Sequence, residues 1–195
     1  MRWLAVLGAI ALSACGHMDL VEDDLDFASR QRALDAISDW DMRGSLVIDT
    51  GERSYQARFT WLQRGERLEL LVRGLLGARS FRIEGSPAAL TVETGGETQL
   101  LTEPEGQLSE MLGWWLPVTS AEHWLLGEPD PDYPAISDPG SAETLAGIVQ
   151  RDWQIRYDEY QLVDGLLVPR RITLTDAPLE LILAIRSWES IGAAP

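Results

Sequence analysis

Apolar residues in the middle of the chain fall on every second position. In residues 54–63, Tyr55, Ala57, Phe59 and Trp61 alternate with Gln56, Arg58 and Thr60. That is the period of a strand with one apolar and one polar face. Leu46 and Ile48 alternate before it; Leu68, Leu70 and Val72, then Phe81 and Ile83, then Leu90 and Val92 follow it. Gly51-Glu52, Arg64-Gly65-Glu66 and Gly95-Gly96 stand between these runs and predict hairpin turns. The same period returns in Trp153, Ile155 and Tyr157, in Ile172 and Leu174, and from Leu179 to Ile185, with Asp164-Gly165 as a turn.

Helical spacing replaces it in two places. Leu34 and Ile37, with Ala33 and Trp40 near, predict a helix over residues 27–38 that Asp26 caps. In residues 106–127, Leu108, Met111 and Leu112 predict one short helix, and Trp124 and Leu125 a second over 119–126. Residues 128–140 hold Pro129, Pro131, Pro134, Pro139 and several aspartates, the composition of a loop. Helix, hairpin-linked strands, two helices and more strands argue an α+β fold on an antiparallel sheet. One-faced strands in that number are able to curl into an open barrel around the helices. No internal repeat or second domain is visible.

The N-terminus follows a different logic. Arg2 precedes an apolar run over residues 3–12, and Ser13-Ala14-Cys15 comes next. This describes a secretory signal peptide over residues 1–14. The run is too short for a bilayer, which needs about 20 residues. Leu12-Ser13-Ala14-Cys15 resembles the bacterial lipobox, which implies cleavage before Cys15 and lipid on its thiol. The alternative is a plain secretory signal. Cys15 is the only cysteine, so no intramolecular disulfide forms, and a lone thiol in an exported chain is expected to be capped or paired. Residues 15–26 then make a lipidated tether, short and acidic, and residues 27–195 the folded domain. Gly16, where an aspartate favours inner-membrane retention in enterobacteria, points to the outer membrane.

Charge narrows the partners. The formal net charge is −15, and loss of Arg2 with the signal takes it one unit lower. This disfavours nucleic acid and anionic lipid surfaces and suits either a cationic partner or plain solubility. Eight tryptophans in 195 residues suit sites that are apolar at one end and wet at the other.

Candidate chemistry is sparse. His17 falls in the tether, and His123 is expected on a helix surface. There is no nucleophile elbow, phosphate loop, zinc-binding histidine pair or cysteine cluster. Glu128, Asp130 and Asp132 begin like a calcium loop, but Tyr133 takes the glycine position and Pro139 that of the closing glutamate. A solvated acidic loop is the expectation. Glu103 and Glu105 show no paired environment. The chain is therefore expected not to be an enzyme and to use no cofactor or metal. Gly74-Leu75-Leu76-Gly77 is odd, because a turn there should be polar; its leucines fold into the core or meet an apolar partner.

Taken in order, these pieces resemble the LolB family of outer-membrane lipoprotein receptors. The resemblance runs from about Ala33 to Trp188. It rests on Trp40-Asp41-Met42-Arg43-Gly44-Ser45-Leu46, on Phe59-Thr60-Trp61 and on the Gly-Leu-Leu-Gly segment at 74–77. Met111-Leu112-Gly113-Trp114, Leu116-Pro117-Val118, Trp124-Leu125-Leu126-Gly127-Glu128-Pro129, the aromatics Trp153, Tyr157 and Tyr160, and Val168-Pro169 complete it. It implies an open antiparallel half-barrel, covered by short helices and enclosing an apolar cavity. It also implies a monomer that takes acylated lipoprotein cargo from the periplasmic carrier LolA and inserts it into outer-membrane lipid without nucleotide. Phe59, Trp61, Leu70, Ile83, Trp115 and Trp124 become candidates to line the cavity, with ordinary core as the alternative for each. Leu75 and Leu76 become the membrane-insertion loop. Rival readings are an acyl-chain-binding periplasmic sensor and a structural outer-membrane accessory lipoprotein.

Overall fold

The computed structural model describes residues 19–75, 79–141 and 143–192. The signal peptide, Cys15, His17 and Leu76 lie outside them. No helix among the described residues is long and apolar enough to cross a membrane.

Eleven strands form one antiparallel sheet. The strands are β1 (Asp39–Asp49), β2 (Ser54–Arg64), β3 (Arg67–Leu75), β4 (Arg79–Ser86), β5 (Ala89–Thr94), β6 (Glu97–Leu101), β7 (Ala135–Pro139), β8 (Leu145–Gln150), β9 (Trp153–Val163), β10 (Leu166–Asp176) and β11 (Leu179–Gly192). Their spatial order is β6-β5-β4-β3-β2-β1-β11-β10-β9-β8-β7. Two hairpin meanders thus meet at the β1–β11 pair, and the sheet's free edges are β6 and β7. Tight turns need left-handed backbone at Asp164 (φ 50°) and Gly165 (φ 85°), the pair that aspartate and glycine serve best.

Three helices cover one face. α1 (Asp19–Asp35) leads into β1, and α2 (Pro104–Leu112) and α3 (Val118–Leu126) lie between β6 and β7. The chain between those strands must cross from one edge of the sheet to the other, and it does so carrying both helices. Pro104 opens α2, where a missing N–H costs nothing, and Gly113 and Gly127 end α2 and α3 in left-handed conformation. α1 and α3 pack on β10, and α2 on β6.

The strand alternation decides what is buried. On β2, Ala57, Phe59, Trp61 and Gln63 are buried while Gln56, Arg58 and Arg64 are exposed. The registers Met42↔Trp61↔Leu70 and Gly44↔Phe59↔Val72 continue the buried rows across β1, β2 and β3. Gly44 is small for a reason. A Cβ there would meet the Ala184 carbonyl oxygen and lie 2.9 Å from the Phe59 ring.

Four expectations need correction. α1 starts at Asp19, so it takes in most of the segment expected to be a tether, and it ends at Asp35 rather than Ser38. Residues 128–140 are not all loop, because β7 forms there and extends the β8 edge. That strand is exposed throughout, so no apolar alternation signals it. Met111 faces water while Leu108 is buried. Finally, Glu128 and Asp130 are not solvated but only 3% and 5% exposed.

Candidate functional site

The concave face and the helices enclose an apolar interior filled by large side chains. Trp40 is 1% exposed and Trp124 0%. Trp40 stacks on Trp61 with ring centroids 5.8 Å apart and meets Trp188 edge-on at 5.5 Å. Trp124 tilts against Trp153 at 6.4 Å. Two aromatic clusters therefore hold the interior, one where β1, β2 and β11 meet and one between α3 and β9.

Polar groups enter this interior in pairs. The Trp61 Nε1–H donates to Gln63 Oε1 at 2.9 Å, and Gln63 Nε2 donates to Glu122 of α3 at 2.6 Å. The Trp124 Nε1–H donates to Gln150 Oε1 at 2.7 Å, and Gln150 Nε2 donates to the carbonyls of Asp130 and Tyr133. Ser120 donates to Asp130 at 2.6 Å, and Glu128 accepts from Gln31 of α1. These pairings explain why Glu128 and Asp130 are buried: each carboxylate closes a seam between covering elements, which offsets its desolvation. Trp153 Nε1 is a buried donor left without a partner.

Arginines secure the covering layer. Arg30 of α1 donates from Nε to Leu167 O and from Nη2 to Leu126 O, both at 3.0 Å, and lies over the Tyr160 ring. Burial lowers its pKa, while Tyr160, Glu128 and their neighbours pull it back. Burial pushes the Tyr160 hydroxyl up to about 12, against the pull of Arg30. Arg151 makes a bidentate pair with Glu105 (2.6 and 3.0 Å) and faces the rings of Trp115 and Tyr133. Burial raises the Glu105 pKa, but the hydrogen bonds from Arg151 and Thr119 outweigh it and leave it lowered. Glu105 thus has a partner that spacing in sequence did not reveal.

His123 is half-buried rather than a plain surface residue. It sits 3.7 Å from Glu122 and 4.0 Å from Glu128. Burial depresses its pKa, yet Glu128, Glu122 and Asp130 together hold it raised. The cluster links α3 to the start of the crossing loop and has no nucleophile beside it.

The six candidates for lining the interior all face it. Phe59, Trp61, Ile83 and Trp124 are buried, and Leu70 and Trp115 are half-buried. Sequence reasoning missed the rim. Leu183↔Leu46↔Ala57 forms one row across β11, β1 and β2, and Phe59↔Val72↔Phe81 the next across β2, β3 and β4. In these rows Leu46, Phe81 and Leu183 are only half covered, as is Tyr55 on β2. They are apolar inward positions that the helices leave partly open. Alternation put them on this face, but periodicity carries no information about where the helices stop. The β3–β4 turn rises from this end of the sheet, with Leu75 as the last residue of β3.

Comparison with known proteins agrees with this architecture. The chain is 31% identical over 199 residues to the outer-membrane lipoprotein LolB of Nitrosococcus oceani, covering 97% of this chain and 99% of that one. It is 29% identical over 197 residues to LolB of Pseudomonas syringae, covering 97% and 96%. In fold alone, a DUF1329 family protein from Desulfovibrio piger superposes with TM-score 0.51 at 8% identity, covering 88% of this chain and 93% of the other. The family model described as outer membrane lipoprotein LolB matches residues 38–188, and the chain therefore belongs to the LolB family of outer-membrane lipoproteins.

Proposed function

We propose that this chain accepts lipoproteins from a LolA-type periplasmic carrier, shelters their acyl chains between the concave face and the helices, and releases them into the outer membrane. The observation that carries this reading is the half-covered apolar rim of Leu46, Tyr55, Phe81 and Leu183, which leads into an interior of Phe59, Trp61, Leu70 and Ile83. A soluble body gains nothing from leaving such a row partly open unless something apolar enters there.

The energetics favour direct handover. Each acyl methylene in water costs about 0.8 kcal/mol, so a chain moves downhill only between apolar sites, each binding more tightly than the last. Because the interior is filled, cargo must displace the covering layer, and α1 with the α2–α3 crossing is held by discrete polar seams that are able to part. Lipid on Cys15 would keep the acceptor at its target membrane. Leu75 and Leu76 would touch the bilayer, with Trp115 and Trp124 lining the helical side of the cargo site.

A handover assay tests this. A form lacking residues 1–14 and carrying Cys15→Ala is mixed with carrier loaded with labelled lipoprotein. Transfer without ATP is expected. Label that stays on a demonstrably competent carrier refutes the receptor reading. In lipidated protein, Leu76→Glu should accept cargo and insert it poorly; normal insertion refutes the role given to that loop.

A further inference from the structure

The polar face of the sheet, turned away from the helices, carries charge opposite to that of the whole molecule. A groove of about 1000 Å³ runs across β11, β1, β2 and β3 there, and Arg43, Arg58, Arg73 and Arg186 line it. All four are exposed. Arg58 and Arg73 are direct cross-strand partners, an arrangement that like charges disfavour unless an anion bridges them. Among the described residues only Arg43 has an ion-pair partner, Glu189 at 2.9 Å. The floor between the guanidiniums includes Val47 and Leu71.

The sequence shows the same segregation. All 16 basic residues are arginines, and neither arginine nor lysine occurs between Arg82 and Arg151, a stretch rich in carboxylates. The negative net charge is thus concentrated away from β1–β4, and the inference that this chain repels anionic surfaces fails for this one face. Guanidinium, with its planar fork of donors, suits phosphate oxygens better than ammonium does.

We propose that this groove binds the phosphate of an anionic phospholipid headgroup, phosphatidylglycerol being the simplest, with its glycerol and first methylenes on the Val47–Leu71 floor. Position selects a membrane over an acidic protein. Arg73 lies just before Gly74 and Leu75, where β3 enters the turn, so whatever the turn touches, the Arg58–Arg73 pair reaches as well. The choice of a membrane rests on the insertion role given to that turn; the anion site itself does not.

The test titrates dihexanoyl-phosphatidylglycerol, dihexanoyl-phosphatidylcholine or inorganic phosphate into the mature lipidated protein in a neutral maltoside detergent, followed by calorimetry at low salt. Phosphatidylglycerol should bind and the other two should not, with affinity falling as salt rises. Arg58→Gln with Arg73→Gln should weaken binding roughly 30-fold, from the worth of two guanidiniums near an anionic surface. Arg170→Gln with Arg171→Gln, an equal charge change on β10, should leave it unchanged. Equal binding of phosphatidylcholine or of phosphate alone, equal loss in both double variants, or retained binding in the first overturns the proposal. If that first variant keeps phosphatidylglycerol binding but slows handover from the carrier, the face docks the carrier and the lipid proposal falls. Cargo acceptance is read separately without lipid, so failure of the receptor reading would show there in the wild type while the titration stands.

Discussion

Arg30 gives the sharpest test of how the covering layer is held. Its side chain is 6% exposed and spans three elements: it rises from α1 and donates to Leu126 O at the end of α3 and to Leu167 O on β10. Arg30→Met keeps the aliphatic bulk and deletes both bonds. A hydrogen bond to a charged group is worth roughly 1.5 kcal/mol at the low end, so the gross loss is about 3 kcal/mol. Two effects offset part of it. The buried guanidinium no longer has to be desolvated, and its Nη1, which has no partner, is removed. The net cost is then about 2 kcal/mol. For a domain of this size each kcal/mol shifts Tm by roughly 2–4 °C, so a fall of about 4–8 °C is expected by circular dichroism at pH 7. Arg30→Lys restores the charge but not the fork and should fall in between. The loss should also be local at first, with amide protection dropping in α1 before the β1–β11 centre. A Tm within a degree of wild type, or uniform loss of protection, would refute the idea that Arg30 pins the helix.

Two further predictions follow from geometry and charge. Gly44→Ala should destabilise by about 1–3 kcal/mol in urea titrations, because the new Cβ presses on Phe59 and the Ala184 carbonyl; a neutral result would mean the β1–β11 contact yields freely. The His123 pKa is raised in the folded state because, although burial opposes it, Glu128, Glu122 and Asp130 face it. Its stabilisation is therefore complete below the unfolded value near 6.5 and fades as pH rises through the folded value. His123→Gln should lose more stability at pH 5.5 than at pH 8.5, and an equal loss at both would contradict the charge pairing.

Much of this fold was legible in alternation. The β2 run from Tyr55 to Trp61 announced both its strand and its buried face, and the glycine pairs marked the turns. β7 escaped because every residue of it is exposed, leaving only its pairing with β8 to define it. The acidic residues after α3 were misjudged because a carboxylate's partners, here Gln31 and Ser120, come from distant chain. The site was half legible. Its apolar wall follows from periodicity, but its open rim depends on where helices end in space. The arginine groove was hidden because one net charge averages two unlike halves of the molecule.

The early start of α1 has a consequence for reach. With lipid on Cys15, only residues 16–18 precede Asp19, so the helix begins within roughly 14 Å of the bilayer surface even when those residues are fully extended. From Asp19 to Arg30, where the helix is fastened to the body, is about 16 Å more. The domain is thus leashed to a layer about 30 Å deep. In such a layer the bilayer is present at an effective concentration that no free protein experiences, on the order of millimolar. Contacts too weak to recruit a soluble protein, such as a loop leucine or a pair of guanidiniums, are then sufficient to orient one that is already held there.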